Sequence, residues 1–151
     1  TKLNNVMLDR FTRAPLCVID LDTVMPGLAA NDFGDSIRFG ASTAAEDEKD
    51  LSRVTMSLEL FETYVEGFLS ACGARLTQTE IDTLSLGAKL MTLECGSRFL
   101  ADYLNGDIYF HVSREGHNLD RARTQMKLVA DMEAKWDRMN DIVQAAAKKV
   151  R

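Results

Sequence analysis

The sequence predicts a mainly α-helical domain with one small β-hairpin near its N-terminal end, an α+β arrangement in which helices dominate. Three observations carry this expectation. Apolar residues recur at steps of three and four through most of residues 57–150. Two short apolar runs, Asn5–Asp9 and Leu16–Leu21, flank a polar turn that ends in Pro15. Helix punctuation falls at the edges of the periodic stretches, as a capping-box pattern at Thr77–Glu80 and a glycine stop at Gly73. The 151 residues are about one domain in length, divided into a hairpin over 5–21 and a helical region over 31–150.

The elements follow in order. The hairpin pairs Asn5–Asp9 with Leu16–Leu21 across Arg10–Pro15. Pro26 and Gly27 make Thr23–Ala30 a loop. Asn31 is suited to cap a short helix from Asp32 to Phe39, with Asp32 and Asp35 near its positive end. Ala41–Asp50, small and acidic, reads as an exposed loop. Ser57–Cys72 places Leu60, Phe61, Tyr64, Val65, Phe68 and Leu69 on one helical face. Leu84–Leu104 is apolar nearly all round, the pattern of a central buried helix or helix pair. Asn118 is expected to cap a last long helix with a seam running Leu119, Ala122, Met126, Val129, Met132, Trp136, Met139, Val143 and Ala146. That seam suits packing on its own domain, with a coiled coil to a partner as the alternative. The Asp131–Lys135 pair reads as a solvated i,i+4 contact.

Composition bounds the function. Apolar residues make up 46% and charged residues 27%, as in ordinary globular proteins. A net charge of −5 with no basic stripe argues against a nucleic-acid face. No run reaches the ~20 apolar residues of a membrane span. Three cysteines in no close-paired spacing suggest reduced thiols and a cytoplasmic setting; Cys17 and Cys95, in apolar runs, are expected in the core. The start at Thr1, directly before an apolar run, suggests part of a longer protein.

Two aspartates compete for a metal. Asp32-Phe33-Gly34 spells the metal-binding triplet of protein kinases, yet Asp20 ends an apolar run where a strand should finish. A hairpin brings Asn5 on one arm towards Asp20 on the other. An amide oxygen and a carboxylate are a suitable pair for Mg²⁺, which takes oxygen ligands and completes its shell with water and phosphates. The bland alternative is that Asn5 caps a turn and Asp20 closes a strand.

The stretches TKLNNVMLD and LCVIDLDTVMPGLAANDFGDSIRFG resemble the C-terminal lobe of the aminoglycoside phosphotransferase and choline kinase superfamily. Thr1–Asn4 match the four spacers of its His-x-Asp-x-x-x-x-Asn loop, Asn5 the terminal asparagine, and Ile19-Asp20 its Ile-Asp. The resemblance is closest to bacterial N-acetylhexosamine 1-kinases and extends through FGASTAAEDE, LGAKLMTLECGSRFLADYL and REGHNLDRARTQMKLVADMEAKWD. It implies the C-terminal lobe of a protein-kinase-like fold, and phosphoryl transfer from ATP to the anomeric hydroxyl of an N-acetylhexosamine. Asn5 and Asp20 would hold Mg²⁺ on the nucleotide. No catalytic residue is expected within the chain: the base would immediately precede Thr1, so residues 1–151 alone should not turn over. Asp32 would brace the catalytic loop. Asp22, Thr23, Arg98 and Tyr109 would meet the amino sugar.

Each assignment has a competing account. Asp22 and Thr23 suit a turn at the strand exit. Arg98, four residues after Glu94 on a mostly apolar helix, suits an i,i+4 ion pair, although a buried arginine there would need partners and a sugar N-acetyl or hydroxyl oxygen could supply one. His111 and His117 lack a ligand set at zinc spacing; His117 is expected in the turn before the last helix. Arg121 and Arg123 suit solvent or Asp120.

Two rival functions remain open. Some relatives carry a mucin-desulfatase label, but Cys72-Gly-Ala-Arg75 and Cys95-Gly-Ser-Arg98 lack the proline and spacing of a sulfatase nucleophile motif. A non-catalytic helical interaction module built on the 119–150 seam is the other. Bared hairpin edges and apolar surface would let such a lobe self-associate.

Overall fold

The computed structural model describes residues 5–22 and 24–150. Strands β1 (Val6–Leu8) and β2 (Pro15–Val18) pair antiparallel, with Val6 opposite Val18 and Met7 opposite Cys17, and a register irregularity after Met7. Asp9 builds the turn: its Oδ1 accepts from the backbone N–H groups of Phe11 and Thr12 and from the Thr12 hydroxyl. Those three bonds hold its carboxyl below the usual carboxylate range, the Thr12 backbone N–H contributing most. All four residues of β2 are exposed. Cys17 is therefore exposed rather than buried in the core, and Cys95 is half-buried.

Six helices follow: α1 (Ala29–Gly40), α2 (Leu58–Cys72), α3 (Gln78–Asp82), α4 (Leu84–Leu104), α5 (His117–Ala134) and α6 (Trp136–Ala147). α1 begins before the expected cap. Leu28 stands in the cap position with no side-chain bond, and the Asn31 N–H already donates to the Leu28 carbonyl. Ala29 and Ala30, strong helix formers, extend the helix backwards. Thr77 and Glu80 form the reciprocal capping box that opens α3.

α4 lies against α1 on one side and α5 on the other, and the α1 contact is unusually close. A Cβ built on Gly34 would sit 2.2 Å from the Gly87 carbonyl oxygen, and one on Gly87 would sit 2.1 Å from that of Ala30. Only glycine lets two helix backbones approach so far. Phe33, fully buried beside Gly34, makes edge contacts with Phe61, Tyr64 and Phe68 of α2 at centroid distances of 5.9, 5.8 and 5.2 Å. The core continues through Ile37, Val65, Leu84, Leu128 and Met139.

α4 is central but not buried all round. Its inward face carries Leu84 and Phe99 but is otherwise made of small or polar residues, including Gly87, Ala88, Thr92 and Gly96, while Leu86, Leu90, Leu93, Leu100 and Leu104 are exposed. The close crossings need small side chains, which leaves the leucines on the opposite face.

The last seam packs within the domain, as Ala122, Val129, Met132, Met139, Val143 and Ala146 are buried, but two helices carry it. The break falls at Lys135, and the Asp131–Lys135 pair is more than a solvated contact. Asp131 accepts from the Met56 backbone N–H at 2.7 Å, while Lys135 Nζ donates to the Met56 carbonyl at 2.7 Å and to Asp131 at 2.6 Å. The pair thus binds both polar groups of one residue in the segment before α2. Nor is Ala41–Asp50 a free loop: Ala41 is buried, Ser42 bridges to Met56, and Arg114 reaches both Asp47 and Asp120.

The glycine crossing makes a direct expectation. Gly87→Ala should destabilise the domain by about 2 kcal/mol or more, because the added methyl meets backbone that cannot rotate away. Gly67→Ala, with open space around its Cβ position, should be neutral or slightly stabilising. Urea unfolding of both variants checks this; equal midpoints would contradict it.

Candidate functional site

The hairpin closes on Asn5 and Asp20. The ladder continues past the strands through a bond from the Ile19 N–H to the Asn5 carbonyl at 2.9 Å. This places the two side chains together: Asn5 Nδ2 donates to Asp20 Oδ2 at 2.6 Å. Asn5 is buried. Asp20 takes a left-handed backbone conformation, φ 63°, which aspartate tolerates better than most residues. Its carboxylate lines an open cavity of about 290 Å³ shared with Val24, Asp32, Ser36, Tyr64 and Phe68.

These donors fit a hard divalent cation. The Asn5 head group carries Oδ1 as well as Nδ2, and half a turn of the amide exchanges one for the other beside Asp20. One carboxylate and one amide oxygen match Mg²⁺, which keeps several waters or phosphate oxygens of its own. Among the described residues, no group of three or more His, Cys, Asp or Glu gathers around one point, so a cation here would draw on the amide and on a ligand.

Asp32 lies in the first turn of α1 and faces the same cavity as Asp20. It is not beside the helix cap, because α1 starts at Ala29. The three letters of Asp32-Phe33-Gly34 are used separately: the aspartate lines the cavity, the phenylalanine fills the aromatic core, and the glycine makes the crossing with α4.

Arg98 and Tyr109 meet at a second cavity, of about 340 Å³, together with Asn105, Ile108 and Phe110. The Arg98 guanidinium lies 3.4 Å from the Tyr109 hydroxyl and over the Tyr109 and Phe110 rings. Arg98 is not buried as the apolar helix suggested. Half of its side chain is exposed, and its contact with Glu94 is a loose 3.7 Å. This cavity shares no lining residue with the one at Asp20. Asp22 is exposed at the hairpin exit, and Thr23 lies outside the described residues.

The residue that sequence reasoning missed here is Asp102. It sits in the last turn of α4 and is 5% exposed. Its Oδ1 accepts from the backbone N–H groups of Ile108 and Tyr109 at 3.0 and 2.8 Å, and its Oδ2 from the Phe110 N–H and Asn118 Nδ2, both at 2.9 Å. Asn118 Nδ2 also donates to Asp107, and Asn118 Oδ1 accepts from Arg121. Asn118 was expected to cap the helix; instead Gly116 holds that position and Asn118, the second residue of α5, is fully buried. His117 starts α5, with Nδ1 accepting from the Ser113 N–H at 3.2 Å. An aspartate near a helix end within reach of a Gly-Asp turn was the available signal.

No protein-family model matches this sequence. Among the described residues, no helix is long and apolar enough to cross a membrane.

Burial alone would push the Asp102 carboxyl up, but the three backbone N–H bonds and Asn118 outweigh it and hold it below the usual 3.8. The stabilisation from this carboxylate is therefore complete above pH 3.8 and is lost as pH falls through the lower folded-state value. In an NMR titration the Ile108, Tyr109 and Phe110 amides should move together with a midpoint below 3.8. A shared midpoint at or above 3.8 would contradict the network.

Proposed function

We propose that the chain is the C-terminal lobe of an ATP-dependent phosphotransferase, with Mg²⁺ on the nucleotide and the anomeric hydroxyl of an N-acetylhexosamine as acceptor. The observation that carries this reading is the 2.6 Å contact between Asn5 and Asp20 across the hairpin, at the two positions where the resemblance expects metal ligands. Asn5 and Asp20 would hold the ion, which when bound offsets the charge on the phosphates during transfer. The hairpin ladder fixes the separation of the two side chains, and the left-handed turn at Asp20 aims its carboxylate at the cavity. Proton removal from the sugar hydroxyl falls to the carboxylate that the resemblance puts immediately before Thr1. Catalysis of this kind is mainly positioning and charge stabilisation.

The cavity at Arg98 supports an amino sugar as acceptor. Its guanidinium donates to an acetamido carbonyl oxygen, while Ile108 and Phe110 offer an apolar wall for the methyl group. Asp22, at the hairpin exit, and Thr23, next to it in sequence, are assigned to sugar hydroxyls. Asp32 is assigned to bracing the catalytic loop from below the Asp20 cavity.

The test is sugar-dependent ADP release by the full-length protein that carries this lobe. Asp20→Asn should abolish turnover while leaving the melting temperature within a degree or two, since the carboxylate faces solvent. Asp32→Asn should act mainly on the melting temperature. Nearly wild-type turnover in Asp20→Asn, with Mg²⁺-rescued loss in Asp32→Asn, would assign the metal to the wrong aspartate. No ADP release with any N-acetylhexosamine would remove the reading.

A further inference from the structure

A carboxylate in the last turn of a helix faces the negative end of the helix dipole, and burial adds a desolvation cost. Asp102 carries both burdens, and no cation offsets them among its hydrogen-bond partners. Among the described residues, the four donors to its oxygens are neutral, and three are consecutive backbone N–H groups of one loop. The backbone leading there is bent to suit: Gly106 and Asp107 both have positive φ, 91° and 58°, and the Asp107 N–H turns back to the Asp102 carbonyl at 2.8 Å. This loop presents Tyr109 and Phe110 to Arg98, one turn before Asp102 on α4. A local conflict satisfied by a single loop is where a functional constraint is expected.

We infer that Asp102, seconded by Asn118, is the positioning residue of the Arg98–Tyr109 cavity: its ionised carboxylate sets loop 106–111 so that the ring and hydroxyl of Tyr109 complete a binding surface with the Arg98 guanidinium. This rests on the reading of that cavity as an acceptor-sugar site, and extends it to Asp102 in the cavity wall and to Asn118, hydrogen-bonded to it. Tyr109 is 73% exposed and Ile108 81%, so neither is held by packing. The Asp102 bonds and the Tyr109–Phe110 ring contact hold them instead.

The chemistry of an amide at this position makes the substitution informative. In Asp102→Asn one oxygen remains to accept, while the new NH₂ group is set against the Phe110 N–H and the Asn118 NH₂, donor against donor. The experiment is a ¹⁵N NMR titration of this chain with N-acetylglucosamine, paired with amide exchange of Ile108, Tyr109 and Phe110, on wild type, Asp102→Asn and Asn118→Ala. In Asp102→Asn the three amides should lose protection while those of α2 and α6 keep it, and sugar affinity should fall ~10-fold to ~100-fold, the scale of a binding group displaced by about 1 Å. Asn118→Ala removes one of the four bonds to Asp102, together with the Asn118 bonds to Asp107 and Arg121, and leaves the three backbone bonds, so it should give a smaller loss in the same direction and serves if Asp102→Asn does not fold. Unchanged protection of the three amides in Asp102→Asn would overturn the inference, as would unchanged sugar affinity where wild type binds. If wild type does not bind the sugar but Asp102→Asn still frees the three amides, the amino-sugar reading fails and the positioning of the loop stands.

Discussion

The backbone contact between Gly34 and Gly87 is the constraint on which the rest of the arrangement depends. With no side chain at either position, α1 and α4 cross at a distance where a single methyl would strike a carbonyl group. The crossing sets the rotation of α1. It sends Phe33 into the aromatic cluster with α2 and turns Asp32 to the cavity that Asp20 enters from the hairpin. Of the two acidic groups at that cavity, one therefore stands on a helix fixed by the core. The other stands at the end of a two-stranded ribbon held by its own ladder and turn.

α4 links this region to the second cavity. Its N-terminal half makes the glycine crossing, and its C-terminal half carries Arg98 and Asp102, roughly 20 Å further along at the helical rise. Packing small residues inward on both neighbours leaves five leucines facing outward at steps of four, three, seven and four. Helix α4 is thus a spine with a tight inner face, an apolar outer face and a polar anchor at its end. The Asp102 anchor uses neutral donors where a helix terminus would ordinarily favour a cation, which ties the conformation of the following loop to one ionised group.

Elements with strong periodicity or reciprocal punctuation were legible in the sequence. The hairpin, the α2 face, the Thr77–Glu80 box and the apolar seam on α5 and α6 all follow from local rules, and so does the approach of Asn5 to Asp20. What was not legible was set by tertiary packing. Asn31 and Asn118 look like helix caps, yet two alanines pull α1 past the first and a buried carboxylate recruits the second. Five leucines on α4 look like core, yet the close backbone crossing places glycine and alanine at the contact and leaves those leucines exposed. Asp131 and Lys135 look like surface charges until Met56, 75 residues from Asp131 in sequence, turns its backbone to them. At Asn31 the outcome turned on two neighbouring helix formers; in the other cases a partner distant in the chain outweighed the local preference, which periodicity and capping rules cannot register.

The central claim is that Asp20, rather than the aspartate of the Asp-Phe-Gly triplet, shares a metal with Asn5. Paramagnetic broadening by Mn²⁺–ATP in ¹⁵N NMR spectra of this chain tests it most directly, because it reports position without requiring turnover. The account predicts broadening centred on the side-chain amide of Asn5 and the backbone around Asp20, retained in Asp32→Asn and lost in Asp20→Asn. Broadening centred on Asp32, or undiminished in Asp20→Asn, would contradict it.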